Sequence, residues 1–448
     1  MLKISKYEFR ILPLIAIGVL IYLLPLENIA KCTVFTILNF ILILHSLYKE
    51  NKNGNILTSI SIANIFLLCV FVLRATQIIY MYPFIDDIYV IGMYQKLFGN
   101  INVENLPFDK ASAVGFFGTA FLNLAYFRVK LCVKRNSSEA NYRINNNMQS
   151  FSYKQVGAIF VCLIPAILSL MSFFMKASIS RQSVSLIDLA WLYIFSSLII
   201  FIIYKKRKAN ILVYTLICAS IFILSILAKR QYIVNLLICY IIPVYYYRKN
   251  SRDVLKIIIM GLSIVLVILF YGQIRAEMIS ATTGSSLNQL MNEFCMYDML
   301  VISIKKLNDI NYGLFYGYNF LTIFTTPISS KIITQFDHEL TNIIFNGLFK
   351  GGIPVTILGS LYLNFSFVGV IIGSVILGRL FAFFDKLFLN NKTSKGIMYY
   401  TMLITFVYDI VRVGDIGREV WTFFIAIFVC YVFCKIVPDT NIKTKCIS

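Results

Sequence analysis

Val254–Arg275 reads VLKIIIMGLSIVLVILFYGQIR. It is an apolar run long enough to cross a bilayer, closed by an arginine, and a polar stretch of about eighty residues follows it as far as Pro354. A hydrocarbon core needs about twenty apolar residues per helical crossing. Working outward from this run, eleven more apolar segments of similar character appear. With it they cover approximately 11–27, 33–48, 56–74, 110–128, 156–176, 186–204, 210–228, 232–247, 254–274, 360–384, 397–414 and 419–437. The expected fold is an all-α polytopic integral membrane protein of about twelve transmembrane helices with one large loop.

Composition agrees. The chain has 448 residues, 59% of them hydrophobic and only 14% charged, with a mean hydropathy of +0.78. Soluble domains carry about a quarter charged residues. A net charge of +20 would point to nucleic acid in a soluble protein. Here most of the basic residues fall in short loops that obey the positive-inside rule, so no nucleic-acid partner is expected. Of the ten cysteines, Cys69, Cys162, Cys218, Cys239, Cys430 and Cys434 lie within apolar runs and show no metal-ligand spacing. They read as small apolar residues. Lys3, Lys6 and Arg10 precede the first run, which reads as an uncleaved first helix because no small-residue cleavage site follows.

Charge also orients the chain. With the N-terminus in the cytoplasm, the inside loops collect Lys49 and Lys52, Arg128 to Lys154, Lys205 to Lys208, Arg248 to Arg252, Lys386 to Lys395 and the tail lysines. Both termini are then cytoplasmic and the long loop faces outward. The chain divides into an N-terminal transmembrane block (1–274), the outward loop (275–354) and a C-terminal block (355–448) holding a re-entrant segment and about three helices. No internal repeat is visible.

The outer helix ends carry arginines and lysines that the inside bias does not explain: Arg74, Arg181, Lys229 and Arg230, Arg275, Arg412 and Arg418. A guanidinium forks onto phosphate oxygens. The bland alternative is snorkelling to lipid phosphates, or pairing with Asp188, Asp415 and Glu419. A set spread over five helix ends favours a shared anion site. In the loop, Phe294–Asp298 opens a stretch whose apolar residues, Met291 to Ile304, recur at helical spacing; a helix lying on the membrane surface is expected there. The aromatic-glycine run Tyr312–Phe320 suits either stacking on sugar rings or interfacial anchoring. Asp86 and Asp87 lie in the second-longest outer loop; a structural role is expected for them. Asp337-His338-Glu339 cannot aim three consecutive side chains at one ion, so no metal is expected.

Gly352–Gly373 is apolar but punctuated by Pro354, Gly359, Tyr362 and Asn364. A short helix dipping back before span ten explains this, with Gly369 and Gly373 set for close packing. Its Pro-x-x-x-x-Gly-x-x-Tyr-x-Asn-Phe-x-x-x-Gly-Val pattern follows a large outer loop, and a basic turn, Lys229-Arg230, enters span eight. Together these features resemble the Wzy-type polymerases of O-antigen and capsule oligosaccharide repeat units. The sequence departs from the pattern at Ser366, where a glycine is expected. The resemblance covers the architecture of the whole chain, while its motifs occupy about three places.

The resemblance implies a GT-C-like, metal-independent glycosyltransferase of the bacterial cytoplasmic (inner) membrane, without cofactor. It would join undecaprenyl-pyrophosphate-linked repeats on the outer face. It also implies partners: membrane lipids, the lipid-linked glycans themselves, and the pathway's flippase and chain-length regulator. On this expectation Arg230, Arg275, Glu277 and Asp298 are catalytic, with Glu277, Asp298 and His338 the candidate bases. Arg74, Arg181, Lys229, Tyr362, Asn364, Arg412 and Arg418 bind pyrophosphate or glycan. A lipid-linked-sugar flippase would show two related halves and short loops. An O-antigen ligase would share nearly every feature.

Overall fold

The computed structural model describes residues 6–52, 56–80, 105–133, 153–179, 190–206, 211–226, 230–247, 294–311, 313–326, 335–348, 352, 354–389 and 394–437. Every regular element among them is helical. Six helices are long and apolar enough to cross a membrane, and four more are apolar but shorter. Eleven of the twelve expected spans lie on helices; the ninth, 254–274, lies outside the described residues.

The chain packs as two compact units. The first comprises residues 1–140, 280–386 and 406–421, and the second comprises 141–279, 387–405 and 422–448. Division by hydropathy follows order along the chain, whereas these units follow contact, so each is discontinuous.

The first unit opens with α1 (Lys6–Leu23) and α2 (Asn28–Lys52). Next come α3 (Ser59–Leu68), a π-helical turn (Cys69–Arg74) and α4 (Ala75–Tyr80), which run on as one rod. Then follows α5 (Phe108–Val133), on which α2 packs most extensively. Residues 111–120 of α5 are all buried, and this explains its many Ala, Gly, Ser, Thr and Asn. A helix enclosed by protein needs small residues for close approach rather than a lipid-facing apolar surface. Ser46, Asn64 and Asn123 exchange hydrogen bonds of 2.6–2.9 Å in its buried interface, leaving those polar groups satisfied away from water.

In the second unit lie α6 (Tyr153–Ile179), α7 (Ala190–Lys206), α8 (Ile211–Ile226) and α9 (Arg230–Tyr247). Its core gathers around Trp191, Phe201, Leu236 and Phe433. Much of the apolar surface of α6 is exposed, including Phe160, Ile164, Leu168 and Met171. In a chain of this hydropathy such a face suits lipid contact.

The long loop contributes α10 (Met296–Asp309), α11 (Tyr318–Thr325) and α12 (Phe336–Phe345), all in the first unit. The expected helix over Met291–Ile304 is found as α10, but it does not lie on a membrane surface. Met296 to Ile304 are buried, packed against α5, α12 and the π-helical turn. Helical periodicity reveals an apolar face but not what covers it; here protein covers it.

Among the described residues three further helices follow: α13 (Thr356–Leu389), α14 (Ser394–Val413) and α15 (Ile416–Ile436). Helix α13 is two helices joined across a break at Phe365 (φ −142°, ψ 17°) and Ser366 (φ 57°, ψ −157°). A short helical arm thus precedes a longer one, but the break falls inside the expected tenth span, 360–384, rather than before it. The arms meet closely: a Cβ on Gly369 would lie 2.6 Å from the Leu361 carbonyl oxygen, and one on Gly373 would strike the Leu361 side chain. The Gly-x-x-x-Gly spacing thus serves packing within the broken helix.

Segments that charge patterning sorts to the same side also meet in the first unit. Glu50, Ser59, Tyr126 and Asp385 share one buried network: Asp385 accepts from Ser59 Oγ at 2.5 Å and from Tyr126 OH at 2.6 Å. Arg74 and Asp298 meet in another.

Candidate functional site

Two polar centres in the first unit are built from the loop and the helix ends. The first begins with the π-helical turn Cys69–Arg74. One wide turn rotates the side chains that follow, and Arg74 ends it fully buried. Such turns recur at functional positions. The Arg74 guanidinium meets the buried Asp298 carboxylate fork to fork: Nε donates to Oδ1 at 3.0 Å and Nη2 donates to Oδ2. Nη1 donates to Gln77 Oε1 at 2.7 Å. Asp298 stands in the first turn of α10, where the helix dipole also favours its charge.

Cys295, just before α10, feels Asp298, Arg74 and Arg412 together. Burial, and then the Asp298 charge, push its thiol up to about 12, against the opposing pull of the two arginines. It is therefore a packed thiol and not a nucleophile. The Arg74 and Arg412 charges, from two separate helix ends, are thus both felt at Cys295 just before α10. Phe66 packs on Phe294 and Tyr408 with ring centroids 6.1 and 5.7 Å away, forming an aromatic wall. On the next position Tyr297 is buried; its hydroxyl lies 2.7 Å from Ser112 Oγ and donates to the Phe108 carbonyl at 3.2 Å. Burial first of all holds that phenol well above its ordinary range.

The second centre is a knot where α11, α12 and the short arm of α13 meet the turn between α14 and α15. Asn364 Oδ1 accepts from the Gly317 and Asn319 amides at 3.1 and 3.4 Å, while its Nδ2 donates to the Ser360 carbonyl. Asn319 in turn donates to the Gly414 carbonyl and to Ser360 Oγ, and accepts from the Ile416 amide at 2.9 Å. Trp421 Nε1 donates to the Ile323 carbonyl at 2.6 Å. Arg418 bridges two acids, Asp337 at 3.1 Å and Glu419 at 3.0 Å. Asp415 caps α15 by accepting from the Arg418 amide at 3.1 Å. Its carboxyl is pushed up to about 7, by burial first and then by the Asp337 charge, with Arg418 opposing.

Backbone strain concentrates in this knot. Tyr316, Thr356 and Ser366 have positive φ without being glycine, and a β-branched residue such as Thr356 rarely tolerates it. Gly414 (φ 75°) leaves no space for a side chain, since a Cβ would lie 2.2 Å from the Thr356 carbonyl oxygen. Strain of this kind persists only where surrounding structure enforces it, and it gathers at functional sites.

The expected site residues can now be placed. Arg74 and Asp298 pair at the opening of α10, where the Arg412 charge is also felt by Cys295. Asn364 and Arg418 both belong to the knot. Tyr362 is half-buried beside the break in α13, its ring 5.1 Å from Phe367. Arg230 starts α9 in the second unit. Arg181, Lys229, Arg275 and Glu277 lie outside the described residues, as do Asp86 and Asp87. His338 sits half-buried in α12, while the Asp337 carboxylate beside it turns to Arg418.

Both Asp298 oxygens accept from Arg74, an arrangement that suits holding α10 in place better than accepting a proton. In Tyr312–Tyr318, Phe315 is core, 5.3 Å from Phe336, whereas Tyr316 is exposed. Sequence reading weighed Asp337 only as part of a metal site it set aside, and did not single out Asn319 or Cys295. No local signal marks Asn319, because its partners Ser360, Gly414 and Ile416 all lie far away in sequence.

No protein-family model, curated protein or solved structure matches this chain.

Proposed function

We propose that the protein polymerises lipid-linked oligosaccharide repeat units on the outer face of the bacterial cytoplasmic membrane. The acceptor's terminal sugar hydroxyl attacks the anomeric carbon of a glycan carried on undecaprenyl pyrophosphate. A new glycosidic C–O bond forms, the bond to pyrophosphate breaks, and the hydroxyl proton passes to a base or to solvent. Pyrophosphate is a good leaving group, so positioning and charge neutralisation are the main tasks.

The observation that supports this reading is that Arg74, from a helix end far away in sequence, grips the opening of the loop helix α10 through Asp298, with the Arg412 charge also felt there. Arg74 fixes that opening through Asp298, and Arg412 is the guanidinium set to meet charge growing on the leaving oxygen. The second centre supports the same reading: the outer loop folds back onto the helix ends through Asn319, Asn364 and Arg418, which suits a rigid cleft rather than a moving gate.

The test is the polymer ladder at matched membrane expression. A strain lacking the protein makes glycan one repeat long, and Arg412→Ala loses roughly a hundredfold in polymerisation rate, the typical cost of one transition-state charge contact. Lys306→Ala, in the same loop helix, stays near wild type. Normal ladders from Arg412→Ala remove the anion-site reading. Loss of all surface glycan, with single units trapped inside, favours a flippase.

A further inference from the structure

At the C-terminal end of α10, away from Arg74, an open cavity of about 370 Å³ is lined by Asn105, Asp109, Lys110, Lys305, Asn308 and Asp309, with Leu26 and Pro107 supplying apolar surface. That volume falls within the range of small-molecule clefts, about 300–1,000 Å³. Its rim is prebuilt. Asn28, at the start of α2, accepts from the Asp109 amide at 2.8 Å and donates to the Leu106 carbonyl, tying α2 to the start of α5. Lys305 pairs with Asp309 at 2.6 Å across one turn. The side chains of Asn105, Asp109, Lys110 and Asn308 form no hydrogen bond among the described residues.

The lining chemistry decides the ligand class. Lys110 and Lys305 are balanced by Asp109 and Asp309, so the cavity offers an anion no net attraction, and its carboxylates repel phosphate. A sugar hydroxyl both donates and accepts, and here it meets amides that do both, carboxylates that accept and an ammonium that donates. The position fits as well. Helix α10 has 14 residues, so at about 1.5 Å per residue the cavity stands about 20 Å from the arginine-bearing end. The three segments lining it, near Asn28, Asn105 and Asn308, are also ones that charge patterning assigns to the outer face.

We infer that this cavity is a subsite for neutral sugar residues of the glycan, holding the chain while its pyrophosphate end lies at the arginines. The identity of the chain delivered there rests on the proposed polymerase activity; the sugar chemistry of the cavity does not.

The experiment uses the full-length protein in lipid nanodiscs on an array of neutral and acidic oligosaccharides. Wild type retains neutral oligosaccharides. Asn105→Ala/Asn308→Ala, at two exposed positions, weakens retention about tenfold or more with an unchanged thermal midpoint. Lys306→Ala, on the same helix but outside the cavity lining, retains them as wild type does. Equal retention by the double variant, retention of acidic glycans alone, competition by inorganic pyrophosphate, or no retention at all overturns the subsite. Ladders from cells judge the polymerase separately: a protein that holds neutral sugars, yet whose deletion leaves ladders intact, keeps the subsite and loses the polymerase.

Discussion

Ser366→Gly should stabilise this protein, which is unusual for a change that only removes atoms. Ser366 occupies the break in α13 at φ 57°, ψ −157°, a corner of backbone space that essentially only glycine adopts freely. Holding an L-residue there costs about 1–3 kcal/mol. Glycine relieves that strain but loses more backbone entropy on folding, roughly 0.5–1 kcal/mol. The Ser366 hydroxyl forms no hydrogen bond among the described residues, so nothing else is forfeited. The net gain is about 1 kcal/mol, a rise of about 2–4 °C in midpoint for a unit of a couple of hundred residues. Thermal unfolding of purified protein in one detergent, followed by intrinsic fluorescence, reads this directly. Ser366→Ala keeps the Cβ and should stay near wild type, while Ser366→Val adds a branch at the strained position and should fall below it. A Ser366→Gly midpoint below wild type would refute the reasoning, because it would mean that the break does not require a left-handed residue.

Three other outcomes follow from the same structure. Arg74→Met or Asp298→Asn alone strands a buried charge or breaks the fork, and should cost about 3–5 kcal/mol and much of the expressed protein, whereas the double variant recovers part of it; additive losses in a thermal-stability cycle would contradict the pairing. Asp415 has a folded pKa of about 7, above its ordinary 3.8, so the folded state binds more protons between those values and wild type loses stability as pH rises from about 4 to about 7. Asp415→Asn can still cap α15 and lacks this titration, so it should overtake wild type by neutral pH; parallel midpoint-versus-pH curves would exclude the effect. In a cysteine-free background, a cysteine at Ser286 or Asn308 should label from outside intact cells and one at Ser138 or Lys206 should not, and the reverse pattern would invert the topology.

The helices themselves were legible in the sequence, because crossing segments are set by apolar length and α-helix is the form that satisfies their backbone internally. That the run holding α13 is interrupted was legible in Pro354, Gly359 and Asn364, though the break itself lies at Phe365 and Ser366, inside the expected tenth span. What covers each helix was not legible. The apolar face of α10 reads the same whether lipid or protein buries it, and only packing against α5 and α12 shows that it is core.

The charged groups divide in the same way. The sequence alone identified Arg74, Arg412 and Arg418 as misplaced cations at helix ends, since positive-inside bias is a one-dimensional property. Their partners come from segments far away along the chain: Asp298 for Arg74, Asp337 for Arg418, and the shared approach of Arg74 and Arg412 to Cys295. Pairing energy depends on distance and burial rather than on position in the chain. Only tertiary structure could decide which acids Arg74 and Arg418 meet and which polar groups are gathered around an open cavity.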